Sequence, residues 1–67
     1  MSKIKITYFK TMDIDSAGRV LDIIGHDIPH LVQAAANLMA LDEHFACFTA
    51  PDGQVIALDR HSQYVMV

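Results

Sequence analysis

The chain has 67 residues, 52% of them hydrophobic and 19% charged, and a net charge of −3 from eight carboxylates against five Lys and Arg. That length makes one domain, residues 1–67, near the lower limit for independent folding, where only about 60% of the unfolded surface can be buried. The acidic balance argues against direct nucleic-acid binding, which needs a basic patch on phosphates. No apolar run approaches the ~18 residues that would indicate a membrane span.

Lys3 to Met12 opens the chain as a half-buried strand, with Ile4, Ile6 and Tyr8 on one face and Lys3, Lys5 and Thr7 on the other. Phe9 places an aromatic on the polar face, where it packs against a partner or is turned inward by a bulge. Asp13 to Gly18, DIDSAG, reads as a turn in which Gly18 is free to adopt positive φ. Val20 to Ile24 pairs back as a second strand; Asp22 suggests that Leu21 and Ile23 face the core and that Val20 and Ile24 share its face, a register that periodicity alone does not settle. Gly25 and His26 lead into the helix.

The spacing predicts that helix over Asp27 to Leu41, because Ile28, Leu31, Val32, Ala35, Leu38 and Met39 fall on one face of a 3.6-residue period. Asp27 is placed to cap the first turn, Pro29 is tolerated there, and the Ala34-Ala35-Ala36 run lets the helix lie close to a sheet. Asp42 and Glu43 follow against the helix dipole and are expected to be solvated. His44 to Thr49 is a third strand, Ala50-Pro51-Asp52-Gly53 a strong turn with positive φ at Gly53, and Gln54 to Leu58 a fourth strand. Arg60 to Gln63 is a polar connection, and Tyr64 to Val67 is apolar enough to add a short fifth strand. The expected fold is α+β: a single antiparallel sheet of four strands, or five with the last segment, and one helix across one face, in the order β-β-α-β-β.

Nothing in this chain carries a strong catalytic or metal signature. His26 and His30 are four apart but straddle the helix start, and His44 and Cys47 fall on opposite strand faces, so a zinc site would need His30, His44, His61 or a carboxylate to converge. Cys47 sits among Phe45, Ala46 and Phe48 and reads as a small hydrophobe; Ser16 and Ser62 read as turn residues. The glycines occur singly, so no phosphate loop exists. A chain this short has little room for a pocket of ~300 Å3 or more. No enzyme activity, cofactor or metal is expected.

The lone cysteine, Cys47, rules out an intramolecular disulfide and fits a reducing compartment, and MSKIKITYFK has no signal-peptide pattern, so a cytoplasmic protein is expected. The apolar excess implies an interface, either with a protein partner or with a second copy. The acidic residues lie mostly in loops and at element ends, where several on one side would engage a basic partner. Phe9, Asp13, Asp15 and Asp52 are the expected partner contacts, on the sheet face and turns that the helix leaves uncovered.

The helix LVQAAANLMA, the strand HFACFT, the turn PDG and the closing segment QVIALDRHSQYVMV together resemble small phage-encoded anti-CRISPR proteins of β-β-α-β(-β) build. The resemblance covers roughly the C-terminal half of the chain. It implies a stoichiometric inhibitor that binds a CRISPR effector subunit and blocks DNA recognition or nuclease recruitment. It transfers no residue roles. The alternative is a homodimeric structural or regulatory module without an inhibitory role.

Overall fold

A computed structural model of the chain describes residues 2–11, 13–25 and 27–67, with only the backbone of residues 2 and 14. Five strands and one helix follow in the order β1 (Ser2–Phe9), β2 (Ala17–Gly25), α1 (Ile28–Asn37), β3 (Phe45–Thr49), β4 (Val55–Asp59) and β5 (Tyr64–Met66). The strands form one antiparallel sheet in the spatial order β2-β1-β3-β4-β5. The α+β architecture read from the sequence is therefore present, and the last segment does add a fifth strand. Because β2 and β3 are both antiparallel to β1, they run parallel to each other with β1 between them. Helix α1 is the crossover of this split β-α-β unit.

Alternation decides which face is covered. Ile4, Ile6 and Tyr8 of β1, Ala46 and Phe48 of β3, and Ile56 and Leu58 of β4 are all buried under Leu31, Val32 and Ala35 of α1. Leu21 and Ile23 pack against the edge of this core from β2 while Val20 and Ile24 face the other way, the register that Asp22 suggests and that periodicity alone leaves open. Gly25 closes the corner: a Cβ there would come within 2.8 Å of Leu31 Cδ2, so the missing side chain makes room for the helix.

The β1–β2 connection differs from the expected turn. Ile14–Ser16 forms a single 3-10 turn, and β2 starts at Ala17, so Gly18 lies inside a strand and takes no positive φ. Ser16 organises the turn, its hydroxyl donating to Asp13 O at 2.7 Å and accepting from Thr11 N at 3.1 Å. The register shifts between the Thr7–Val20 and Phe9–Ala17 pairs, so the extra residue of the bulge falls in β2 and Phe9 keeps its alternation. The turn after β3 is as the sequence indicates: Gly53 has φ 91° and the Asp52 carboxylate accepts from Gln54 N at 3.0 Å.

The helix is shorter than its periodicity. It ends at Asn37 rather than Leu41, and Leu38 and Leu41 are exposed. Asp27 makes no capping bond. Pro29 removes one of the two N–H groups an N-cap side chain can reach, and the carboxylate turns instead to His30 Nδ1 at 3.1 Å. At the other end, Met39 N, which would serve Ala35 in a longer helix, donates to Ala36 O instead. The Ala35 carbonyl takes the buried Tyr8 hydroxyl at 2.7 Å, and Leu38 O takes Arg19 Nη2 at 2.6 Å. A cation at a helix C-terminus complements the dipole.

Glu43 completes this junction and overturns the expectation of a solvated acidic pair. It is 7% exposed, and its carboxylate accepts from Arg19 Nη2 at 2.7 Å, Arg19 Nε at 3.3 Å and Ala40 N at 2.8 Å. Arg19 also lies 4.7 Å over the Tyr8 ring. Burial by itself would raise the Glu43 carboxyl, but the Arg19 and Ala40 hydrogen bonds outweigh it and hold the group below its ordinary value. Burial raises the Tyr8 hydroxyl, so it stays protonated and donating. Asp42, by contrast, is exposed and pairs with Lys10 at 3.3 Å.

Tyr8→Phe strands the Ala35 carbonyl without its donor and is expected to cost about 1–2 kcal/mol in urea unfolding. Glu43 has a folded pKa below its unfolded one, so its contribution is present above the ordinary value of 4.5 and is lost as the pH falls through it toward the folded pKa. Glu43→Gln is expected to cost about 1–2 kcal/mol at pH 7, a low figure because the Arg19 partner is partly exposed and screened. It is also expected to flatten the acid limb of the stability profile. An unchanged acid limb would mean that other carboxylates carry it.

Candidate functional site

Among the described residues, nothing is layered over the face of the sheet opposite α1. Its two halves differ in chemistry. Toward β2 it is mixed: Lys5 stands across from Asp22, Lys3 reaches Asp22 at 3.7 Å, Thr7 and Thr49 lie beside them, and Val20 and Ile24 of β2 are exposed between these polar groups. Toward β5 it is apolar. Phe9 stands opposite Phe45, Cys47 opposite Ala57, and Ala57 opposite Val65. The small side chains of Cys47 and Ala57 leave a floor between the two phenyl rings at one end and Val55 and Val67 at the other, with Val65 along its side. The result is an open trough of about 700 Å3. A chain of this length therefore does have room for a concavity above ~300 Å3, but it is an open sheet surface.

The trough is poor in polar groups suited to chemistry. Asp59 lies at its margin, and its carboxylate already accepts from His61 N at 2.8 Å and Gln63 N at 3.1 Å. Those bonds fix the β4–β5 turn, where Ser62 takes φ 63°. Cys47 is half-buried on the trough floor, and burial pushes its thiol above the ordinary value. A thiol so placed is protonated at neutral pH and behaves as a small apolar group. Among the described residues, no three His, Cys, Asp or Glu side chains come together as a metal site, and no helix is long and apolar enough to cross a membrane. His30 is engaged with Asp27, and His44 Nδ1 lies 3.3 Å from Arg60. His26, the fourth histidine, lies outside the described residues.

The four residues expected to meet a partner are not brought together. Phe9 is half-buried and lines the trough. Asp13 and Asp15 are in the turn beyond the Phe9 end of β1, where Asp13 Oδ1 accepts from Asp15 N at 3.1 Å. Asp52 is in the β3–β4 turn, at the opposite end of the sheet. Most other carboxylates are committed locally, Asp22 to Lys3, Asp27 to His30, Asp42 to Lys10 and Glu43 to Arg19. They are spread around the molecule and form no single acidic surface.

Phe45, Ala57, Val65 and Val67 were the residues that sequence reasoning did not single out. The signal was present as two-residue alternation, since Phe45 and Cys47 share one face and Ala46 and Phe48 the buried one. HFACFT is apolar at both parities, however, so composition did not say which face the helix would take. No family model, curated protein or solved structure matches the chain.

The placement of Cys47 predicts slow chemistry. With a thiolate-dependent colorimetric reagent at pH 7.5, native protein is expected to react several-fold more slowly than the same protein in denaturant. Equal rates would show that the trough floor offers the thiol no protection.

Proposed function

We propose that the chain is a small non-enzymatic binding protein that acts by occluding a surface of a protein partner, with the trough as its contact surface. The observation that carries this reading is the uncovered apolar lining from Phe9 and Phe45 to Val65, the last of these 63% exposed. Contiguous apolar surface rimmed by charge is characteristic of interaction sites. Small floor residues between aromatic and valine walls suit the insertion of one or two apolar side chains, the arrangement of an interface hot spot. Lys3 and Lys5 lie on the adjoining half of the same face, beyond Thr7 and Thr49, and favour carboxylates at the margin of the partner.

The partner class follows from the resemblance to small anti-CRISPR proteins: a CRISPR effector subunit, or another nucleic-acid-handling complex of the host. A net charge of −3 assists approach to a complex that carries cations for nucleic acid. A second reading, a homodimeric structural or regulatory module without inhibitory role, is favoured by the apolar side chains left open along β2.

In cells with active CRISPR interference, expression of the chain is expected to restore plating of a targeted phage. Val65→Lys is expected to weaken partner binding at least about tenfold and to abolish that restoration, with an unchanged circular dichroism spectrum. Phe9→Ala is expected to act in the same direction. Interference that persists in the presence of wild-type protein, across the effector types tested, would remove the inhibitory reading. Full restoration by Val65→Lys would remove the trough as the contact surface.

A further inference from the structure

Edge strands in soluble proteins are normally blunted by brevity, by proline or by charge, because their free N–H and C=O groups otherwise pair with another chain. The two edges of this sheet differ in that respect. β5 has three residues, Tyr64–Met66, whereas β2 has nine, Ala17–Gly25, and contains no proline. Its two charges are already engaged, Arg19 with Glu43 on the helix side and Asp22 with Lys3 on the open side. Its apolar residues are incompletely covered on both faces. Leu21 and Ile23 reach the core but remain half-exposed, and Val20 and Ile24 are 48% and 68% exposed.

We propose that β2 pairs antiparallel with β2 of a second copy, about a two-fold axis at Asp22, to give a continuous ten-stranded sheet. The occupant is argued from register. Cross-strand partners must share a face, so the symmetric pairings of the apolar stretch are centred on Leu21, Asp22 or Ile23. Centring on Leu21 sets Val20 against Asp22 and Arg19 against Ile23. Centring on Ile23 sets Ile24 against Asp22. Centring on Asp22 alone sets Val20 against Ile24 on the open face and Leu21 against Ile23 on the helix side, twice each by symmetry. Its one conflict is Asp22 against Asp22, and Lys5, directly across β1 from Asp22, flanks that pair on each side in a cation–anion–anion–cation row.

The same operation places both helices on one side and both troughs on the other, so the trough remains free for a partner. A two-fold contact also closes, whereas pairing β2 with β5 of another copy would continue into a fibre. One strand pair is a small interface, below about 1,200 Å2 in total, so dissociation in the micromolar range is expected. The inference does not depend on the identity of any partner.

The full chain should be examined by sedimentation equilibrium from about 5 to 500 μM, the range suited to so small an interface. The expected result is a monomer–dimer equilibrium. Ile24→Lys, at an exposed position that the fold does not need, is expected to shift it at least about tenfold toward monomer. Asp22→Asn is expected to shift it several-fold toward dimer, and Val65→Lys on the other edge to leave it unchanged. With Cys47→Ser in the background, Asp22→Cys is expected to form an interchain disulfide when oxidised with diamide, while Lys5→Cys, one strand further in, is not. A monomer at every concentration overturns the proposal. So does a dimer that Ile24→Lys leaves intact, or one in which Asp22→Cys fails to cross-link.

Discussion

The pairing of Arg19 with Glu43 fixes where the helix stops and how the chain turns back toward the sheet. Arg19 bonds the Leu38 carbonyl and the Glu43 carboxylate with the same guanidinium, and Glu43 holds the Ala40 N–H. These bonds satisfy groups that a helix end exposes and set the path by which His44 N reaches Phe9 O at 3.1 Å. That contact delivers Phe45 beside Phe9 as the first residue of β3. Removing Arg19 would leave the Glu43 carboxylate largely out of water, so the pair matters more for specifying this junction than for net stability.

From this junction the division of the sheet into two faces follows. The helix lies close because Ala35 presents only a methyl group, and Tyr8 reaches across the core to its carbonyl. The covered face is complete in a single layer: every core side chain meets either the helix or a neighbouring strand. Among the described residues the opposite face receives no second layer, and its apolar half stays open. One helix over five strands thus produces a stable side and an available side in the same small domain.

Much of this architecture was legible in the sequence, because β1 and the helix each carry a clear period, whereas in β2 only Asp22 hinted at which face turns outward. The β3–β4 turn was equally plain, since Pro51, Asp52 and Gly53 each have a distinct conformational reason to be there. What could not be read was non-local. Nothing near Glu43 in sequence announces Arg19, which lies 24 positions earlier, and without that partner an acidic pair after a helix reads as solvated. The helix end was misplaced for the same reason: Leu38 and Met39 continue the apolar period, and only the tertiary bonds at Leu38 and Ala40 end it. The acidic residues offered no clue to their dispersal, because their partners Lys3, Lys10 and Arg19 are brought to them by strand pairing and chain reversal. The trough was hidden in a strand that is apolar on both faces.

The position of β1 between β2 and β3 has a consequence for how the chain assembles. β1 and β2 are joined by a short turn and can meet as a hairpin early, at small loop-closure cost. The second neighbour of β1 arrives only after the helix has crossed over and the chain has reversed at Glu43. Until then the apolar side of the hairpin, Ile4, Ile6 and Tyr8, faces water. The pairing of β1 with β3 joins residues far apart in sequence, a long-range closure of the kind that slows folding. The bulge in β2 adds local twist to the β1–β2 pair, the surface on which β3 must then register.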